Sequence, residues 1–300
     1  MSTVKTTKPT LTSPKKRTVQ DIKKIYVLGP QASGKTTYLS ALALLLKSQN
    51  PNHKLVTVTA QSDDAIALEQ DGKSQWMNQT PLLPTDLAID PSHLPEYKFS
   101  IEVSNYLRSN PLKIILTAKD YGGEFFQDLL QYPQPTRLKS YLRDCMNAAT
   151  GWIIMLPDFS LTNLDADDID SEYQDILQIL IREAKQKDIL RDLRLAIVMS
   201  KCERGELWPS RWEPERDLFK VRLPKTTEFL RKPSLIPQSN VSFFALSSFG
   251  VLARNDPRPN RYTQGNGSAV LNNRDSWLPH GLINPLYWIA TGNKWNNPSF

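Results

Sequence analysis

The stretch 29-GPQASGKT-36 is the most informative part of the sequence about the fold, because it joins an apolar run, IYVL at 25–28, to a helical pattern that begins TTYLSAL. Gly29 and Gly34 allow the backbone to curl so that its N–H groups point at one centre, and the helix N-terminus adds its positive end. Lys35 brings an ammonium to that end, where an unpaired lysine would oppose the helix dipole. This predicts a polyphosphate-binding loop; the alternative is a strand–helix turn that binds nothing.

The same stretch matches the pattern G-x-x-x-x-G-K-[ST], which is the P-loop or Walker A pattern. In that pattern Lys35 bridges the β- and γ-phosphates, and the Thr36 hydroxyl is a ligand of Mg²⁺. The predicted phosphate-binding residues are Gly29, Ser33, Gly34, Lys35, Thr36 and Thr37.

The composition is that of a soluble globular chain, with 40% hydrophobic and 23% charged residues among 300. The first 21 residues read as a disordered basic tail, whose alternative role is contact with nucleic acid or an anionic membrane. Because this tail supplies most of the net charge of +6, the folded part is close to neutral and the net charge says little about partners. We expect no nucleic acid among the partners. There is no apolar run that could span a membrane and no secretion signal, and the two cysteines are too few for a disulfide framework. We therefore expect a cytoplasmic protein.

Apolar runs alternate with helical patterns, which favours an α/β fold, here a P-loop three-layer sandwich. Strands are expected at 24–28, 55–59, 97–105, 112–117, 151–156, 193–200 and 241–246. Helices are expected at 35–48, 64–75, 138–149, 171–187 and 214–230. The sheet should be mostly parallel, with one antiparallel hairpin strand made by 97–105 and 112–117. Asp170 or Ser171 is available as the cap of the helix at 171–187.

Two folded parts are expected after the tail. Residues 22–250 should form the P-loop domain. Residues 251–300 are rich in Pro and Asn and should form a C-terminal extension that packs on the domain and ends in a short helix at 281–291. The three histidines are dispersed, so we expect no metal site made by protein ligands alone.

Three further motifs stand at expected strand exits. DYGGE at 120–124 resembles the D-x-x-G element of Ras-like GTPases, in which Asp120 would hold Mg²⁺ and the Gly123 N–H would sense the γ-phosphate. SKCE at 200–203 resembles their N/T-K-x-D base-recognition element, with Ser200 in place of Asn or Thr and Glu203 in place of Asp. Ser247 stands where the loop that supports the base would be. The alternatives are a Gly-Gly turn and a polar turn after a buried strand.

In order, these motifs resemble the Ras-like, translation-factor-related GTPases. The runs GKTTYL at 34–39, DYGGE at 120–124 and NPLYW at 284–288 look closer to bacterial double-GTPase domains, a group assigned mainly by comparative genomics to prokaryotic conflict systems. The resemblance implies GTP or GDP as ligand and Mg²⁺ as cofactor. It also implies a base site at Ser200, Lys201, Glu203 and Ser247, and a switch threonine that reaches the metal, for which Thr85 is the candidate and Thr80 the competitor.

Hydrolysis needs positioning and charge neutralisation more than covalent chemistry, so the predicted catalytic residues are Lys35, Gly123 and Glu124. Glu124 stands where related enzymes have the glutamine that positions water, which predicts slow intrinsic hydrolysis. A protein effector or activating partner could add an arginine finger; Arg254, Arg258 and Arg261 are internal candidates. The alternatives to a slow switch are a nucleotide-loaded scaffold without turnover and an ATP-dependent kinase or ATPase.

Overall fold

The protein is described by a computed structural model over residues 23–45, 56–78, 94–103, 112–119, 121–131, 136–146, 150–158, 166–264 and 269–295. The predictions for the tail at 1–21 and for Thr80, Thr85 and Asp120 lie outside the described residues.

A seven-stranded sheet forms the middle layer. Its strands are Lys23–Leu28 (β1), Val56–Ala60 (β2), Glu96–Val103 (β3), Leu112–Lys119 (β4), Gly151–Pro157 (β5), Arg194–Ser200 (β6) and Val241–Ala245 (β7). They lie in the order β2-β3-β4-β1-β5-β6-β7. β3 pairs antiparallel with β2 and β4, whereas β1 pairs parallel with β4 and β5, and β5–β6 and β6–β7 are parallel. The mostly parallel sheet with one antiparallel hairpin strand is confirmed.

Helices cover both faces of this sheet. They are Lys35–Leu44 (α1), Asp63–Asn78 (α2), Gly123–Gln127 (α3), Thr136–Met146 (α4), Ala166–Gln186 (α5), Lys220–Arg222 (α6), Pro224–Leu230 (α7) and Asn284–Thr291 (α8). Successive side chains of a strand point to opposite faces. In β1, Ile25 and Val27 therefore pack in the core with α1, α2 and α8, while Tyr26 and Leu28 pack in the second core with α4 and α5. The three-layer arrangement follows from strands that are apolar on both faces.

The carboxyl ends of the parallel strands lie along one edge of the sheet. β1 ends at Leu28, β6 at Ser200 and β7 at Ala245, and each is followed by one of the predicted motifs. In open α/β sheets, ligands bind in the crevice outside this edge, where the strand order reverses. Here the order reverses at β1, whose neighbours are β4 and β5.

The single helix predicted at 214–230 is wrong. The chain forms a π-helical turn at Pro214–Phe219, continues as α6, and leaves the helical conformation at Leu223, where φ is −134° and ψ is 57°. Pro224 then occupies the first turn of α7. The reason is steric, because proline disfavours the helical region for the residue that precedes it and is well tolerated at a helix start.

The capping prediction for the helix at 171–187 is also wrong. α5 begins at Ala166, so Asp170 lies inside it. Its carboxylate accepts hydrogen bonds from the backbone N–H groups of Lys225 (2.7 Å) and Thr226 (2.9 Å), which are orphan donors of the first turn of α7. Asp170 therefore caps α7, a helix more than fifty residues away in the chain.

The segment after Gly250 contains two small hairpins that the sequence analysis does not predict. Their strands are Val251–Ala253 (β8), Asp256–Pro259 (β9), Arg261–Thr263 (β10) and Ala269–Leu271 (β11), paired β8–β9 and β10–β11. Each strand is only three or four residues long, and β9 contains two prolines, so no alternation of polar and apolar residues is visible. The predicted terminal helix is confirmed as α8, with Leu286 and Ile289 fully buried.

Candidate nucleotide-binding site

The phosphate loop joins β1 to α1 in a tightly curled conformation. Gly29 and Gly34 have φ of 150° and 92°, values that residues with a side chain rarely adopt, and Ala32 has φ of 58°. Helix α1 starts directly after Gly34, whose carbonyl accepts the Tyr38 N–H at 2.8 Å. The local sequence thus places the backbone as the pattern predicted, with the helix N-terminus at the loop.

Two polar side chains lie within this loop. The Lys35 ammonium donates hydrogen bonds to the carbonyls of Gly29 and Pro30, both at 3.0 Å, and the side chain is 7% exposed. Ser33 is fully buried, and its Oγ has no hydrogen-bond partner in the described part of the chain. Because buried polar groups are almost always bonded, an unpartnered hydroxyl inside an amide-lined loop fits an oxygen-rich ligand such as a phosphate.

The segment after β4 packs directly on the phosphate loop. A Cβ added to Gly123 would lie 2.0 Å from the Gln31 nitrogen and 2.1 Å from the Gln31 Cα. Gly123 is the first residue of α3, and Glu124 follows it in the first turn as a half-buried side chain. The structure therefore brings one predicted catalytic residue, Gly123, to the loop that carries Lys35, and Glu124 is the next residue of α3. Asp120, which precedes them, is outside the described residues.

Tyr121 anchors this segment in the core. Its ring is 1% exposed and stands edge-on to Tyr141, with centroids 4.8 Å apart. Its hydroxyl donates to Asp144 Oδ2 at 3.1 Å, the same oxygen that the Lys119 ammonium contacts at 3.0 Å. The backbone on both sides of position 120 is thereby tied to α4.

The predicted base-recognition residues follow β6. Lys201 has φ of 60°, and the exits of β6 and β7 are joined by hydrogen bonds from Leu246 N to Met199 O (2.9 Å) and from Cys202 N to Leu246 O (3.0 Å). The Lys201 Cε would lie 3.8 Å from a Cβ built on Gly34, so this side chain runs beside the phosphate loop. Burial lowers the pKa of Lys201 to about 8, and the Arg204 and Arg261 guanidiniums act in the same direction.

Glu203 is buried beside an arginine from the C-terminal segment. Its side chain is 1% exposed, and Oε1 lies 3.0 Å from Arg261 Nε. Its other oxygen, Oε2, has no hydrogen-bond partner among the residues that the structure describes, and neither does the neighbouring Ser200 Oγ. Sequence reasoning placed Arg261 among the candidates for an arginine finger and missed its contact with the base element, since nothing in the sequence pairs these two positions.

Ser247 is tied to the C-terminal segment rather than left open. Its backbone N–H and carbonyl both pair with the backbone of His280 at 2.9 Å, and its Oγ accepts the Gly250 N–H at 2.8 Å. The other two arginine candidates lie on the surface. Arg254 is exposed, and Arg258 is exposed and pairs with Asp256 of the same hairpin.

Among the described residues, His, Cys, Asp and Glu form no group that could hold a metal ion by itself. Within that part of the chain, no helix has the length and apolarity needed to cross a membrane.

The site has three features: a Walker A loop at the exit of β1, a glycine pair packed on it, and a lysine–carboxylate element at the exit of β6. Together they define a P-loop GTPase of the translation-factor-related class. The Double-GTPase 1 family profile matches residues 26–175, and the chain belongs to this family.

Solved structures of GTPases also resemble the chain. The signal recognition particle receptor SRb-GTP/SRX complex from Chaetomium thermophilum is 14% identical, with a TM-score of 0.40, over 77% of this chain and 93% of that one. The S. cerevisiae Ski7 GTPase-like domain bound to GDP and inorganic phosphate is 14% identical, with a TM-score of 0.43, over 82% of this chain and 47% of that one. Sup35 complexed with GDP is 12% identical, with a TM-score of 0.34, over 77% of this chain and 38% of that one. No curated protein matches the chain. At such low scores, the assignment rests on the family match and on the sheet itself.

Proposed function

We propose that the protein binds GTP and GDP together with Mg²⁺, hydrolyses GTP slowly, and acts as a nucleotide-dependent switch. One observation carries the proposal: Lys35, Gly123 and Lys201, from three separate motifs, all lie at one loop of eight residues at the edge of the sheet. The family match supports guanine as the base.

In this proposal the phosphate loop binds the β- and γ-phosphates. The Lys35 ammonium leaves its two carbonyl contacts for phosphate oxygens, which are stronger acceptors because they are charged. The Ser33 hydroxyl gains a partner, and the N-terminus of α1 adds its positive end. Gly123 packs so closely on Gln31 that its N–H is held next to the phosphate region.

Mg²⁺ prefers hard oxygen ligands, and the hydroxyl of Thr36, the second residue of α1, is one. With Thr36, the oxygens of Asp120 and Thr85 would hold the ion. The ion would neutralise charge that develops on the phosphate oxygens during transfer.

Slow turnover follows from Glu124. A carboxylate near the γ-phosphate is repelled by it, so it is a poorer positioner of water than an amide. We expect about 10⁻⁴ to 10⁻² s⁻¹ for the lone protein, as in unassisted GTPases. A partner that supplies an arginine would raise this rate by ~10³–10⁵. A role in a prokaryotic conflict system, with an effector protein as partner, is the part of the proposal supported only by family membership.

A thermal-shift series with GTP, GDP, ATP and ADP, with and without Mg²⁺, tests the proposal. At a hundred times the dissociation constant a ligand stabilises the folded state by about 2.7 kcal/mol, so only guanine nucleotides should raise the melting temperature. Lys35→Ala should abolish the shift, while the exposed Lys187→Ala should retain it as the matched control. Single-turnover phosphate release then measures hydrolysis. A shift with adenine nucleotides alone, or with none, would contradict the proposal.

A further inference from the structure

Several buried polar atoms around the base element lack partners. Among the described residues, Ser200 Oγ, Glu203 Oε2 and Arg204 Nε are all enclosed by protein atoms and make no hydrogen bond. Such atoms are rare in folded proteins, because a buried polar atom without a hydrogen-bond partner destabilises the folded state. Their concentration at one place indicates a site that is completed by a polar ligand.

The ion pair of Glu203 with Arg261 leaves the second carboxylate oxygen, Oε2, without a hydrogen-bond partner among the described residues. An ionised carboxylate has about four lone-pair positions, and the ion pair joins Arg261 Nε to Oε1. Guanine presents two adjacent donors, N1–H and the N2 amino group, which a carboxylate accepts together. The lone pairs of Glu203 are therefore enough for Arg261 and guanine at the same time.

Arg261 compensates for the extra length of Glu203. A glutamate has one more rotatable bond than the aspartate usual at this position, so its carboxylate would have more orientations to lose on binding the base. A guanidinium at 3.0 Å restricts these orientations. It also supplies the counter-charge that a carboxylate with 1% exposure requires.

The backbone that presents Arg261 is held rigidly. Asn260, the preceding residue, is fully buried. Its side chain donates to the Asn273 carbonyl and accepts the Asn273 N–H, both at 2.7 Å, while its backbone bonds Gly250 O and Asn272 N. Arg261 itself opens β10 and pairs with Leu271 of β11. The Arg261 guanidinium is therefore carried by a backbone segment that hydrogen bonds hold in place.

We propose that Arg261 is a positioning residue for base recognition, by which the C-terminal segment fixes the Glu203 carboxylate toward the N1 and N2 groups of guanine. The proposal rests on the proposed function, since it deepens the base specificity of the same site. Its ligand class is a 2-amino-6-oxopurine nucleotide.

The test compares affinities of wild type, Arg261→Ala and Arg261→Lys for GTP, ITP and ATP. Inosine lacks the N2 amino group, so the ratio of GTP to ITP affinity measures how well the carboxylate reads that group. We expect Arg261→Ala to lose about tenfold in GTP affinity, the size of one hydrogen bond to a charged group, and to bring the ratio close to one. Arg261→Lys keeps the charge without the planar fork and should fall between them.

The matched control is Arg258→Ala, because Arg258 lies three residues earlier, is exposed and pairs only with Asp256 among the described contacts. It should behave as wild type. An unchanged GTP-to-ITP ratio in both Arg261 variants, an equal loss for all three nucleotides, or tighter GTP binding by Arg261→Ala would each overturn the proposal.

Glu203→Ala separates this proposal from the one it rests on. If this variant loses guanine preference while both Arg261 variants keep it, only the positioning role fails. If wild type shows no preference for guanine, the base site itself fails, and the role of Arg261 fails with it.

Discussion

Replacing Gly123 by alanine tests the contact between the glycine pair and the phosphate loop. The new Cβ would lie 2.0 Å from the Gln31 nitrogen, whereas ordinary contact begins at 3.4 Å, so the two backbones must separate by about 3.4 − 2.0 = 1.4 Å. Gly123 needs no unusual φ, because it begins α3, and alanine is otherwise the better helix former. Any loss of activity in Gly123→Ala is therefore caused by the steric contact of the new Cβ with the backbone of Gln31.

The magnitude follows from the size of this displacement. Overpacking of this kind costs about 1–3 kcal/mol of stability. A misplacement near 1 Å at a reacting centre costs about a hundredfold in rate. We expect GTP hydrolysis by Gly123→Ala to fall about a hundredfold in single-turnover assays, with only a modest loss in the free energy of unfolding.

Gly205→Ala is the matched control. Gly205 has φ of 38°, and no atom of the described residues lies within 4 Å of its added Cβ, so this variant carries backbone strain without a steric contact in that part of the chain. It should lose about 1–2 kcal/mol of stability and keep its hydrolysis rate. If Gly123→Ala hydrolyses GTP as fast as wild type, the glycine does not hold α3 against the loop, and our reading of this contact is refuted.

Three further predictions concern pH, capping and the metal. Burial, together with Arg211, lowers the pKa of His280 to about 3. The folded state therefore keeps this side chain neutral while the unfolded state, with a pKa of about 6.5, takes up a proton as the pH falls, and the free energy of unfolding decreases below pH 6.5. Denaturant titrations at pH 7.5 and 5 should show a decrease of about 2 kcal/mol, which the variant His280→Gln should lack. Asp170→Ala should lower the free energy of unfolding by about 2 kcal/mol, because two charge-assisted caps of α7 disappear, while the exposed Asp168→Ala should leave it unchanged. Chelation of Mg²⁺ by EDTA should remove most of the thermal shift given by GTP, and Thr36→Ala should mimic chelation; an equal shift with and without the ion would contradict the metal ligands we propose.

The sheet and the phosphate loop could be predicted because their signals are local. The run at 25–28 is apolar at every position, as a strand buried on both faces requires, and it is followed at once by the two glycines and the lysine of the loop. Each of these features is contained within a dozen residues. The prediction that these strands are buried therefore needed no knowledge of contacts with distant parts of the chain.

The C-terminal segment could not be predicted in the same way. Its strands have three or four residues, too few to show a period, and Pro257 and Pro259 lower the expectation of a strand. The division of the helix at 214–230 has a local signal, Pro224, which disfavours the helical conformation of Leu223. The predicted roles of Asp120 and Thr85 lie outside the described residues and stay predictions.

The groups that sequence reasoning misplaced share one property, which is a partner far along the chain. Asp170 was assigned to its own helix but caps α7, 56 residues away at Thr226. Arg261 was named as a candidate for an arginine finger but pairs with Glu203, at a separation of 261 − 203 = 58 residues. From the sequence, one can predict that a buried polar side chain has a partner, because burial without one is costly. The sequence does not identify that partner. Periodicity predicts which face of a helix or strand is apolar, but it does not predict which loop contacts the end of which strand. In this protein the proposed base site is formed by such contacts, since Glu203 and Arg261 meet only in the folded chain.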